Sequence, residues 1–194
     1  MIRLRRKIAV IAVVTMILTI LSQGTVAYDS VIATATNVVT TGSIKLAIHE
    51  VTEAGEVFPE NGVVVRAGDV VSKRVSVESL CAHPFYLRIK LVYGAEDQAL
   101  ENRAEACFQP NIDETKWQLA DGWYYYKGIV KPGERTPNLF TEVKVLKETA
   151  NRRYAGETLT LTVVAQGVQS ENNPLIDGAV WTASGWPQEE EVKA

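Results

Sequence analysis

From residue 44 onward, apolar residues recur mostly at every second position. Ile44, Leu46 and Ile48 alternate with Lys45, Ala47 and His49. Val71, Lys73, Val75 and Val77 alternate with Ser72, Arg74 and Ser76, and Phe85, Leu87, Ile89 and Leu91 lie opposite Arg88 and Lys90. Successive strand side chains point to opposite faces, so each run predicts a half-buried strand. Leu139–Leu146 and Thr158–Val168 read the same way, the second setting Leu159, Leu161 and Val163 against threonines.

Turn chemistry separates these runs. Ala67-Gly68-Asp69 precedes one strand, and Lys131-Pro132-Gly133-Glu134 combines a proline that fixes φ with a glycine that supplies positive φ. Asp121-Gly122 between Trp117–Ala120 and Trp123–Tyr126 predicts a hairpin with a type I′ turn. Val51–Gly62 and Asn172–Gly178 read as loops. The period changes once: Leu100, Ala104, Cys107 and Phe108 fall at helical spacing, with charged residues between them and Glu96 and Asp97 ahead. That pattern predicts a short helix with one apolar stripe and acidic groups at its positive end. About eight strands with one helical insertion predict an all-β, antiparallel β-sandwich. No repeat or linker divides residues 44–187, which read as one domain followed by a charged tail, 188–194.

The first 43 residues follow other rules. Arg3, Arg5, Arg6 and Lys7 precede Ile8–Leu21, an apolar run interrupted only by Thr15 and Thr19. Gly24 breaks it, and Thr25-Val26-Ala27 supplies small residues for cleavage. This is signal-peptide order, and the run is shorter than the roughly 20 apolar residues of a spanning helix. Cleavage is expected between Ala27 and Tyr28, leaving a secreted chain with no stable membrane span. The new N-terminus, residues 28–43, is rich in valine, isoleucine and threonine, which suit strands. It has Asp29 as its one charge and no proline or glycine before Gly42.

Four of the 20 basic residues leave with the signal, so 16 remain against 23 acidic ones, a balance that argues against nucleic acid as a partner. Cys81 and Cys107 are an even pair in an exported chain, which predicts a disulfide; two free buried thiols are the other reading. The only histidines, His49 and His83, each lack a second histidine one helical turn away, so a zincin-type site is not expected. No G-x-S-x-G elbow is present. Trp123–Tyr126 could stack on sugars, although alternation sends Trp123 and Tyr125 to one face and predicts that half of the run is core.

Several stretches carry a family resemblance. They are GTVAYDSVIATATNVVTTGSIKLAIHE at 24–50, FPENGVVVRAGDVVSKRVSVES at 58–79, PFYLRIKL at 84–91 and KWQLADGWYYYKGIVKPGERTPNLFTEVKV at 116–145, followed by TLTLTVVAQGVQ at 158–169 and AVWTASGW at 179–186. In this order they resemble the TasA/camelysin family of exported proteins processed by a SipW-type signal peptidase. Cys81 and the insertion with Cys107 stand outside the family pattern. The resemblance implies a jelly-roll-like sandwich in a Gram-positive bacterium, assembling into biofilm matrix fibres by donor-strand exchange.

The expected function is therefore structural, not enzymatic, and without a cofactor. The expected partner is a second copy of the chain, joined head-to-tail. Val31, Ile32, Ala33, Thr34, Ala35 and Thr36 are the candidate assembly residues, expected to be disordered or loosely docked in the monomer. Pairing of this segment with its own sheet, giving a stable monomer, is the competing expectation. A monomeric cell-surface adhesion or ligand-binding module is the alternative function, and an exported metallopeptidase-like hydrolase ranks last.

Overall fold

The computed structural model describes residues 29–32, 35–36, 44–101, 103–147 and 158–187. Its strands are β1 (Asp29–Ile32), β2 (Ala35–Thr36), β3 (Leu46–Val51), β4 (Val63–Val65), β5 (Val70–Ser72), β6 (Arg74–Ser79), β7 (Phe85–Ala95), β8 (Phe108–Pro110), β9 (Trp117–Ala120), β10 (Trp123–Tyr126), β11 (Glu142–Val145) and β12 (Thr158–Gln169). One α-helical turn, α1 (Gln98–Glu101), and 3₁₀ turns at Glu105–Cys107 and Val180–Thr182 complete the described elements.

The fold is an all-β sandwich. One layer is a seven-stranded sheet in the order β4-β1-β12-β7-β10-β9, with β2 also on β12. The facing layer combines the sheet β5-β11-β8 with the antiparallel pair β3-β6. Main-chain bonds join its two parts: Lys73 N–H donates to Thr141 O, Val75 N–H to Phe140 O, and Leu139 N–H to Val75 O. Between the layers Val75, Val77, Phe85, Leu87, Ile89 and Leu161 are essentially solvent-free, the inward positions that the alternation predicted.

The Asp121-Gly122 hairpin forms as expected, with φ of 49° and 77°. The Lys131–Glu134 turn closes through Glu134 N–H to Lys131 O, with Gly133 at φ 70°. The predicted helix is α1 and a 3₁₀ turn, not one helix. Its stripe is still packed, with Ala104, Cys107 and Phe108 buried, but Phe108 has left the helical path. It pairs with Val145 across β8 and β11 and stacks on Tyr93 at 5.6 Å.

The long central strands fix the rest. β7 and β12 pair antiparallel from Leu159↔Ala95 to Gln169↔Phe85. Gly167 lies in this ladder where a Cβ would come within 2.8 Å of the Phe85 ring and 3.1 Å of Ile44 Cγ2, so the close approach of Phe85 excludes any side chain.

Candidate functional site

The N-terminal segment is the element on which the sequence reading of function rested. In the structure β1 is an interior strand. It runs parallel to β12 with Ser30↔Thr158, Val31↔Leu159 and Ile32↔Thr160, and antiparallel to β4 with Asp29↔Val65, Ser30↔Val64 and Val31↔Val63. β2 continues along β12 through Ala35↔Val163 and Thr36↔Val164. Val31 to Ala35 and Leu159 to Val163 advance equally, so β1 and β2 share one register. Of the six candidate assembly residues, Val31, Ile32, Ala35 and Thr36 lie on this ladder. Ala33 and Thr34, like the cleavage residues Ala27 and Tyr28, lie outside the described residues. Loose docking in the monomer is thus corrected for the described part of the segment. The physical reason is that both rims of its slot offer unpaired main chain that the segment satisfies.

The slot's rims differ. On one side Leu159, Leu161 and Val163 of β12 are buried in the main core. On the other, β4 has only β1 as a partner among the described strands. Val65 of β4 is buried while Val64 is 64% exposed. Beside β4, a groove of about 560 Å³ is lined by Val64, Val70 and Phe58 among others, and Val70 is also exposed. Next to this groove Lys73 Nζ stands 4.5 Å from the centre of the Phe58 ring and 2.8 Å from Glu50 Oε1. Burial holds the Lys73 pKa below its ordinary value, while the charge and hydrogen bond of Glu50 oppose that shift.

The expected Cys81–Cys107 bridge is not formed; neither cysteine is in a disulfide. They serve different neighbours. Cys81 Sγ accepts from Lys45 N–H at 2.9 Å and lies 3.0 Å from Lys45 O, on β3's approach. Cys107 ends the 3₁₀ turn of the helical insertion and is buried in the core. The histidines sit in separate ion pairs. His49 Nε2 is 2.7 Å from Glu78 Oε2, which also accepts from Arg135 at 3.0 Å. These donors, Arg135 first and His49 second, hold the Glu78 carboxyl below its usual range. His83 Nδ1 is 3.7 Å from Glu171 on the surface. Among the described residues no three His, Cys, Asp or Glu side chains gather as a metal site, and no helix is long and apolar enough to cross a membrane.

Sequence reasoning missed one constellation. Arg88, read as outward-facing, is buried between the rings of Trp123 at 4.0 Å and Trp186 at 4.7 Å. It donates to Gln166, to Tyr125 and to Pro187 O at 2.8 Å. Around it Tyr86, Trp123, Tyr125, Val164, Val168 and Val180 form a second core on the outer face of the large sheet. The available signal was the density of apolar residues at both parities of β12, which marks a strand covered on both faces.

No family model, no curated protein and no solved structure matches this chain.

Proposed function

We propose that this chain is a secreted structural protein whose mature N-terminal strand is exchanged between copies, building extracellular matrix fibres. One observation carries the proposal: the interior strand β1 begins at Asp29, directly beyond the expected cleavage point between Ala27 and Tyr28. A strand at a free chain end leaves its slot without threading any loop. Once it leaves, β4 and β12 present two unpaired main-chain edges that accept the same segment from a neighbour in the same register.

Exchange replaces each ladder hydrogen bond, about 1 kcal/mol net, with its equivalent, so it is nearly neutral at the slot itself. Concentration and additional contact between copies then decide the outcome. The exposed Val64 and Val70 beside the slot supply apolar surface for that contact. A head-to-tail contact repeats without closing and gives a filament. A signal peptidase of the SipW type is the implied processing partner, since assembly has to await a free Tyr28.

The test compares correctly cleaved protein with protein carrying about ten extra residues before Tyr28, by negative-stain electron microscopy. Fibres from the first and monomers from the second are expected. Fibres from both, or from neither at any concentration, would overturn the proposal.

A further inference from the structure

The outer face of the large sheet carries a built cavity separate from the β1 slot. It has a volume of about 270 Å³ and lies between the β9-β10 hairpin and the segment 177–181. Its apolar wall is Trp181, 42% exposed, set edge-on to the buried Tyr125 at 6.4 Å and 66°. Its polar wall is Gln118, Lys127 and Asp177.

The loop that presents Trp181 is braced rather than slack. Asp177 and Gly178 have φ of 52° and 72°, and the turn they make is closed by Ala179 N–H donating to Ile176 O. Thr182 Oγ1 donates to Ala179 O at 2.6 Å and accepts from Ile176 N–H at 2.9 Å. Asn173 clamps the loop's far side by donating to Gln169 O and Ser184 O while accepting from Ser184 N–H. Across the cavity Lys127 is held by donation from Nζ to Glu114 O at 2.6 Å. The loop's main chain and the Lys127 ammonium are therefore held before any ligand arrives, which lowers the ordering cost of binding.

We infer that this cavity binds a neutral hexose unit of a polysaccharide, stacked on Trp181 and hydrogen-bonded through its hydroxyls to Asp177, Gln118 and Lys127. An indole plane offers an apolar face with polar groups at its margin, matching a sugar ring that is apolar on its C–H face and hydroxylated at its rim. The volume lies just below the range of drug-sized sites and suits one ring of a chain that continues into solvent. One carboxylate and one ammonium among the lining side chains cancel, so neither a phosphate nor a uronate is favoured. Trp123, the aromatic the sequence offers first, is not available, because Arg88 covers its ring.

The inference does not rest on fibre formation, and its test reads binding by the folded secreted chain whatever its assembly state. Isothermal titration calorimetry is run with neutral hexasaccharides built from glucose, galactose, mannose or N-acetylglucosamine, and with an oligogalacturonate. At least one neutral oligosaccharide is expected to bind saturably. The affinity should fall at least about tenfold in Trp181→Ala and in Asp177→Asn, the second of which keeps a residue tolerant of positive φ. Unchanged thermal midpoints separate loss of binding from loss of fold. No heat from any neutral oligosaccharide up to about 10 mM, binding of the acidic oligomer alone, or unchanged affinity in Trp181→Ala would overturn the inference.

Discussion

Arg88 and Gln166 face each other across β7 and β12, and Arg88 donates twice to one amide oxygen, from Nε at 2.9 Å and from Nη2 at 2.6 Å. The same guanidinium reaches Pro187 O, so a charge in the middle of the sheet ties down the chain's last described residue. Two indole faces and neutral oxygens hold the charge without a carboxylate in the described set of contacts. Arg88→Ala should cost about 3 kcal/mol in urea unfolding, because it removes charge-assisted hydrogen bonds and leaves Gln166 and Pro187 acceptors buried. Trp186 should become exposed at the same time, read as a red shift of tryptophan emission. A fully retained emission spectrum would show that the 180–187 segment is held by its apolar contacts alone.

Lys73 and Glu50 form the other buried charge arrangement. Their side chains are only 2% and 9% exposed. Removing one partner strands the other, so Glu50→Gln is expected to destabilise by about 3 kcal/mol, while Lys73→Met combined with Glu50→Leu should cost much less. The folded-state Lys73 pKa is lowered, chiefly by burial. Between that lowered value and the ordinary lysine value the unfolded chain binds more protons than the folded one. Stability should therefore rise as pH rises through that window, and the rise should vanish in Lys73→Met. Thermal unfolding followed across the alkaline range checks both signs.

With no disulfide present, the protein should carry two thiols of unequal reach. Cys81 is partly exposed and Cys107 is buried. Under native conditions a thiol reagent should modify Cys81 first, with Cys107 reacting only on unfolding, and intact mass should count two alkylations after denaturation without reductant. One bridge and no alkylation would restore the pairing that the even cysteine count suggested.

The inner face of the sandwich was legible from alternation. Phe85, Leu87, Ile89 and Leu91 declared their side of β7, and Asp121-Gly122 declared the hairpin. Arg88 misled because alternation records only which parity is apolar, not whether a distant segment returns to cover the polar side. The 180–187 segment does so, and a guanidinium is tolerated there only through partners remote in sequence. Lys73 stood in an apolar parity and is indeed inward, but its partner Glu50 lies on another strand and was not readable. The composition of 28–43 marked it as a strand, whereas its parallel register against β12 depends on contact between the two ends of the chain. No local pattern encodes such a contact.

Strand exchange makes a claim about which copy's β1 lies beside a given β4, and a cross-link reads that directly. Ser30 and Val64 are register partners in the antiparallel β1-β4 pair, where Cα atoms stand about 4.5–5.5 Å apart, within disulfide range. Ser30→Cys with Val64→Cys, in a chain also carrying Cys81→Ser and Cys107→Ala, should be assembled reduced, then oxidised and run on a non-reducing denaturing gel. Exchange predicts a ladder of covalent multimers that collapses to monomer on reduction, together with failure to assemble when oxidation precedes assembly. Fibres whose chains all run as internally cross-linked monomers would contradict it, because each β1 would then have stayed in its own slot.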